Sequence, residues 1–215
     1  MSSRSSEREG FTPGARHLIE SDPVMARVVR QVGPDAGVGP KLPSDRYGAL
    51  LRGIVGQQLS TTSALAIFGR LTERFGGRTP TPQEILGQDP DELRTAVGLS
   101  HAKTKYLRSL AHCVIDGTLE LDRLDELDDA TVEAQLTTVS GIGTWTARIF
   151  MMFVLRRPDV LADGDLWIRR AVRDLYELPA MPRTKQVAEI AEPWRPQRTL
   201  ACVYLWRLLE VSPVT

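Results

Sequence analysis

Cysteine is nearly absent from this chain of 215 residues: Cys113 and Cys202 are the only two. Two thiolates cannot supply the four ligands of an iron–sulfur cluster. Both lie in apolar helical patterns and read as reduced, buried thiols rather than a disulfide. Histidine is as scarce, and His17, His101 and His112 lack ligand spacing, so no catalytic metal is expected. Net charge is missing too, since 27 Lys and Arg balance 27 Asp and Glu. The bulk field therefore does not advertise nucleic-acid binding, and taken alone it suits a neutral enzyme acting on a small molecule. No apolar run could span a bilayer: none exceeds the seven residues of Ile149 to Leu155, against about 20 for a spanning helix. With no signal-peptide pattern either, the expected location is the cytoplasm, on the nucleoid if the source is bacterial, with no membrane partner. Alternating strand patterns of useful length and internal repeats are both lacking.

What remains is helical. Asp22 can cap a helix that starts at Pro23, after a shorter segment over His17 to Ser21. A connector rich in Gly and Pro runs from Gly33 to Pro43. Asp45 to Gln58 carries Tyr47, Leu50, Leu51, Ile54 and Val55 at helical spacing. Ser60 or Thr61 can cap the next helix, which stops at Gly76-Gly77. Thr81 with Glu84 forms a capping box, and Asp89-Pro90 a similar start. Ser100 caps a helix to Ile115, followed by helices over Asp129 to Thr138, Thr144 to Arg156, Asp165 to Leu175, Thr184 to Ala191 and Pro196 to Leu209. Residues 1–12 are expected to be a disordered tail.

The most informative stretch is Leu136 to Ala147. One helix ends near Val139, the chain turns through Gly141-Ile142-Gly143, and a second helix begins at Thr144. Glycines let the backbone turn tightly and approach another molecule. The unpaired amides at the start of the second helix form an anion site, while Ile142 pins the turn to the interior. Further on stands an acidic pair, Asp163 and Asp165, the latter at the mouth of Leu166-Trp167-Ile168. Arg148, Arg156, Arg157, Arg169 and Arg170 surround these segments, and Lys103, Lys105 and Arg108 form a second basic group. A local patch of this kind is all that DNA binding needs.

The turn, Trp145 and Asp165-Leu-Trp-Ile-Arg169 resemble the helix-hairpin-helix DNA glycosylase superfamily. Within it the chain is most similar to the 3-methyladenine DNA glycosylase II branch. Ile54-Val-Gly-Gln-Gln-Leu-Ser60, Gly98-Leu-Ser-His-Ala-Lys103 and Trp194-Arg-Pro196 match as well, so the resemblance runs from about Asp22 to Glu210. It implies an all-α fold of two helical lobes with a central cleft, the hairpin at their boundary and no N-terminal β domain. One lobe would be 45–130; the other would combine 13–44 with 131–215.

The resemblance also assigns roles. The family pattern places the catalytic carboxylate directly before the Leu-Trp-Ile helix, hence Asp165 rather than Asp163, which caps or supports the loop. Breaking an N-glycosidic bond builds positive charge on the sugar. A carboxylate near C1′ stabilises that charge and orients the attacking water. Relatives that also cut the backbone carry a lysine where this chain has Trp145, so the implied enzyme releases the base without lyase activity. Trp145 is either a wall of the base pocket or core packing; as a wall it suits a cationic alkylated purine, through stacking and cation–π attraction. Ile149, Leu166, Trp167 and Trp194 are further pocket candidates, with Ile149 and Leu166 standing where relatives often have tyrosine.

DNA contacts are implied at Gly141, Ile142, Gly143, Thr144 and Thr146 of the hairpin, at Gln57, Gln58 and Ser60, and at Leu99, Ser100, His101 and Lys103. Flipping a base out of the stack needs a wedge side chain, here His101 or Leu99, although the same segment reads equally as a helix-capping turn. A structural monovalent cation, Na⁺ or K⁺, is implied on the carbonyls of Thr137, Val139 and Ile142. The expected protein is thus a monomer that acts on damaged, double-stranded DNA and excises 3-methyladenine, 7-methylguanine and similar bases in base excision repair. Two rivals remain: a hairpin glycosylase for a mismatched or oxidised base, and a non-catalytic hairpin module that only binds DNA.

Overall fold

A computed structural model describes residues 10–36 and 42–211. The expected tail therefore lies mostly outside the described residues, and its last part is already ordered. Thr12 caps α1 (Pro13–Ser21) by accepting from the Ala15 amide, so this helix begins earlier than the apolar spacing alone predicts. Every described element is helical, as expected, and no helix among the described residues is long and apolar enough to cross a membrane.

The chain divides into two compact units, one of residues before 41 and after 155, the other 41–155. The first holds α1, α2 (Pro23–Val32), α10 (Leu166–Leu175), α11 (Thr184–Ile190) and α12 (Arg198–Val211). Here α12 packs on α2 and α10. The junction of α1 and α2 is built on one buried carboxylate. Asp22 caps α2 through the amides of Val24 (2.7 Å) and Met25 (3.2 Å). It also accepts from the Tyr176 hydroxyl and from the Trp194 indole N–H at 2.9 Å. A buried charge is tolerable only when donors satisfy it this fully. The same arrangement, with burial as the larger cause, raises the Tyr176 hydroxyl above its ordinary pKa.

The second unit holds α3 (Arg46–Gly56), α4 (Thr61–Arg74), α5 (Pro82–Gly87), α6 (Pro90–Val97), α7 (His101–Ile115), α8 (Asp129–Thr137) and α9 (Thr144–Phe153). The expected caps Ser60, Thr81 with its Glu84 box, Asp89 and Ser100 are in place, and Asp45, expected inside the helix, caps α3. Leu107, Leu110 and Ala111 of α7 are fully buried, and α7 packs on α3, α5 and α6.

Two expectations are corrected. The hairpin helices α8 and α9 belong with residues 41–130 rather than with the terminal segments. Ala147, Phe150 and Met151 bury that face of α9 in a helix that packs on α8 and α3. The second hairpin helix also stops at Phe153 rather than Arg156. The amides of Val154 and Leu155 both turn back to the Phe150 carbonyl, and Arg156 takes the left-handed conformation that ends a helix.

Candidate functional site

In the second unit the functional groups gather on the hairpin. Gly141 has φ +88°, and a Cβ there would stand 2.2 Å from Cγ of Tyr106. The left-handed backbone and the tyrosine ring therefore each require glycine. Ile142 is buried, pinning the turn as expected. Gly143 differs: its φ is −92°, it caps α9 without any side-chain hydrogen bond, and a Cβ would meet nothing within 4 Å. The start of α9 thus has a glycine N-cap with open space beside it at the positive end of a helix, an arrangement suited to a phosphate.

Three contacts hold the turn in shape. The Gln57 side-chain amide donates to the Gly141 carbonyl at 2.7 Å and approaches Thr146 Oγ1 at 3.4 Å. The Ser140 amide donates to Ser109 Oγ at 3.0 Å. Arg148 of α9 pairs with Glu133 of α8 at 2.7 Å. Gln57 and Arg148 were expected among DNA-facing groups; the structure uses their polar ends to build the hairpin.

On α9, Trp145 is 49% exposed and Ile149 is half-buried one turn on. The core alternative for Trp145 is thereby set aside. Thr144 and Gln58 are exposed, Gln58 with a left-handed φ of +56°. Ser60 and Ser100 are exposed caps of α4 and α7. The Lys103 ammonium turns onto the Val55 carbonyl at 2.8 Å, and burial pushes its pKa below the usual lysine value. Of the two wedge candidates, Leu99 is only 6% exposed and belongs to the core, whereas His101 is exposed at the start of α7. A third candidate for the wedge is the apolar side chain of Leu59, which is 39% exposed next to the left-handed Gln58. Its only signal in the sequence is its place between the polar positions Gln57, Gln58 and Ser60.

In the first unit, Asp165 is the N-cap of α10. Its Oδ1 accepts from the amides of Trp167 (2.9 Å) and Ile168 (3.0 Å) and from the Trp206 indole N–H at 3.3 Å. The residue is buried, so its orientation is set by packing and by three donors together. Leu166 and Trp167, the next two residues, are about half exposed. Arg169, one of the basic residues near Asp165, donates to the Pro182 carbonyl at 2.9 Å. Arg170 stacks on Trp167 with its Cζ 5.2 Å from the ring centroid. Asp163 is half-buried. Trp206, 41 residues away, was missed because it sits in the apolar pattern of α12 with no local signal.

Trp194 is corrected outright. It is fully buried, and its indole N–H is spent on Asp22, so it belongs to the core and not to a base pocket. The cysteines are free thiols, Cys202 buried and Cys113 half-buried. Burial pushes the Cys202 thiol up to about 12 and also raises Cys113, which makes both poor nucleophiles.

The chain is similar to known proteins. A family model described as "HhH-GPD superfamily base excision DNA repair protein" matches residues 51–196. DNA-3-methyladenine glycosylase 1 of Schizosaccharomyces pombe is 34% identical over 210 residues, covering 95% of this chain and 90% of that protein. The solved structure of a 3-methyladenine DNA glycosylase from the same yeast, in complex with abasic DNA, superposes with a TM-score of 0.79 at 33% identity, covering 95% of this chain and all of that one. A DNA-3-methyladenine glycosidase from Bacillus halodurans gives a TM-score of 0.80 at 33% identity, covering 91% and 88%.

Proposed function

Since the chain belongs to the HhH-GPD superfamily of base excision DNA repair proteins, we propose that it is a monofunctional DNA glycosylase that hydrolyses the N-glycosidic bond of alkylated bases, 3-methyladenine and 7-methylguanine among them. The observation that carries this reading is Asp165, a carboxylate fixed by two helix amides and an indole N–H. Such a group stabilises the positive charge that grows on the sugar as the base departs with the bonding electrons, and it orients and takes a proton from the water that adds to C1′. An alkylated purine already carries positive charge and leaves without an acid, which fits a site built around one carboxylate.

The glycine-capped N-terminal end of α9 grips a backbone phosphate of double-stranded DNA, giving affinity without sequence preference. Leu59 is the wedge we favour over His101. It is the exposed apolar side chain on the segment whose Gln57 clamps the hairpin, and an apolar group is what fills a gap in stacked bases. Half-exposed Trp145 offers an indole face to the cationic base. As an indole rather than an amine it cannot form the Schiff base that backbone cleavage requires, hence the absence of lyase activity. The carbonyls of Thr137, Val139 and Ile142, at the negative end of α8, suit a monovalent cation; one lone pair of Val139 is taken by the Ile142 amide. Such a cation would supply positive charge beside the phosphate. The protein acts as a monomer.

The test is a panel of duplex oligonucleotides bearing single defined lesions, incubated with the protein and then treated with hot alkali. Strand breaks are expected at the methylated purines, and only after alkali. Breaks before alkali would contradict the absence of lyase activity; intact methylated sites after alkali would contradict the substrate.

A further inference from the structure

A recess of about 490 Å³ runs along the outer face of α7, lined by α6, α7 and Ser140 of the hairpin turn. His101, Lys105, Arg108 and His112 lie along it at successive turns, spanning about 16 Å of helix at 1.5 Å per residue. Asp91 is the one acidic side chain among its lining residues, and Arg94 neutralises it at 3.2 Å. Arg108 is partly committed, donating to the carbonyls of Ile85, Leu86 and Gln88 at the end of α5. His112 has Asp116 close by. Lys105, exposed in the middle of the row, is therefore the principal charge. In a chain of zero net charge, a recess lined by Arg94, Lys105 and Arg108 against the single carboxylate of Asp91 is net positive. It lies next to a turn whose Ser140 amide is anchored on α7, and it suits a polyanion.

We infer that this recess binds backbone phosphates of the same DNA duplex beyond the one held at the hairpin, with Lys105 as its main contact. The occupant is DNA because the row continues from the hairpin through Ser140. Its length also covers about five base-pair steps of duplex at 3.4 Å per strand phosphate. The contact is sequence-independent and adds affinity on damaged and undamaged DNA alike.

This inference rests on the glycosylase reading for its ligand, but its test reads binding and not catalysis. The affinity of the full chain for an undamaged duplex and for one with an abasic site is measured by fluorescence anisotropy across a salt series. For Lys105→Ala, the slope of log K against log salt should shrink by about one, with both duplexes weakened by the same factor. Lys105→Arg, which keeps the charge, should restore the slope. An unchanged slope in Lys105→Ala, or weakening confined to the abasic duplex, overturns the inference. Failure of the unaltered protein to release any methylated base would overturn the glycosylase reading instead, and would leave the slopes as they are.

Discussion

Asp165 and Trp206 show how one side chain acts through another. The indole N–H lies 3.3 Å from Oδ1, and a hydrogen bond to a charged group contributes about 1.5–3 kcal/mol. Trp206→Phe keeps an aromatic ring, though a smaller one, and removes the donor. Single-turnover base release at saturating DNA should fall about tenfold or more, while the affinity for abasic DNA stays near its original value; equal losses in both would reduce Trp206 to a packing residue. Trp145 and Leu59 make a second contrast, since both are exposed and contribute little to the core. Trp145→Ala and Leu59→Ala should each leave the melting temperature within a few degrees and cut excision substantially. A large loss of stability would show that these side chains serve the fold instead.

Among the elements, the hairpin carries the sharpest prediction, because its two glycines are unlike. Gly141→Ala places a methyl against the Tyr106 ring at a left-handed φ, so it should destabilise the protein by about 2–4 kcal/mol and weaken DNA binding. Gly143→Ala meets open space at an ordinary φ and should cost less than about 1 kcal/mol, both measured by thermal or denaturant unfolding. The sequence made the elements legible because their signals are local: the Asp22, Thr81, Asp89 and Ser100 caps lie within three residues of the amides they satisfy. The Gly-Ile-Gly turn was legible for the same reason. What escaped was tertiary. Gln57 meets Gly141 across 84 residues, and Trp194 meets Asp22 across 172. No spacing rule connects such pairs, so Gln57 and Lys103 were assigned to DNA when their polar ends are engaged inside the unit. Leu99 and Trp194 were misplaced likewise, since an apolar residue in a motif carries no mark of whether its face is covered.

For the whole molecule, zero net charge argues against nucleic acid only if charge is averaged. Among the described residues some acids serve as caps or sit in pairs such as Arg123 with Glu120 and Glu126, while Lys103, Lys105 and Arg108 lie together on α7. Affinity for duplex DNA should therefore fall steeply with salt despite the neutral total; a flat salt response would contradict phosphate binding altogether. The most direct test of the account concerns the charge at residue 165. Asn caps a helix about as well as Asp, so Asp165→Asn keeps the start of α10 and removes only the negative charge. Abasic sites formed in methylated duplex DNA and revealed by hot alkali should vanish in this variant, while it still binds abasic DNA as the unaltered protein does. Base release at the original rate by Asp165→Asn would contradict the account.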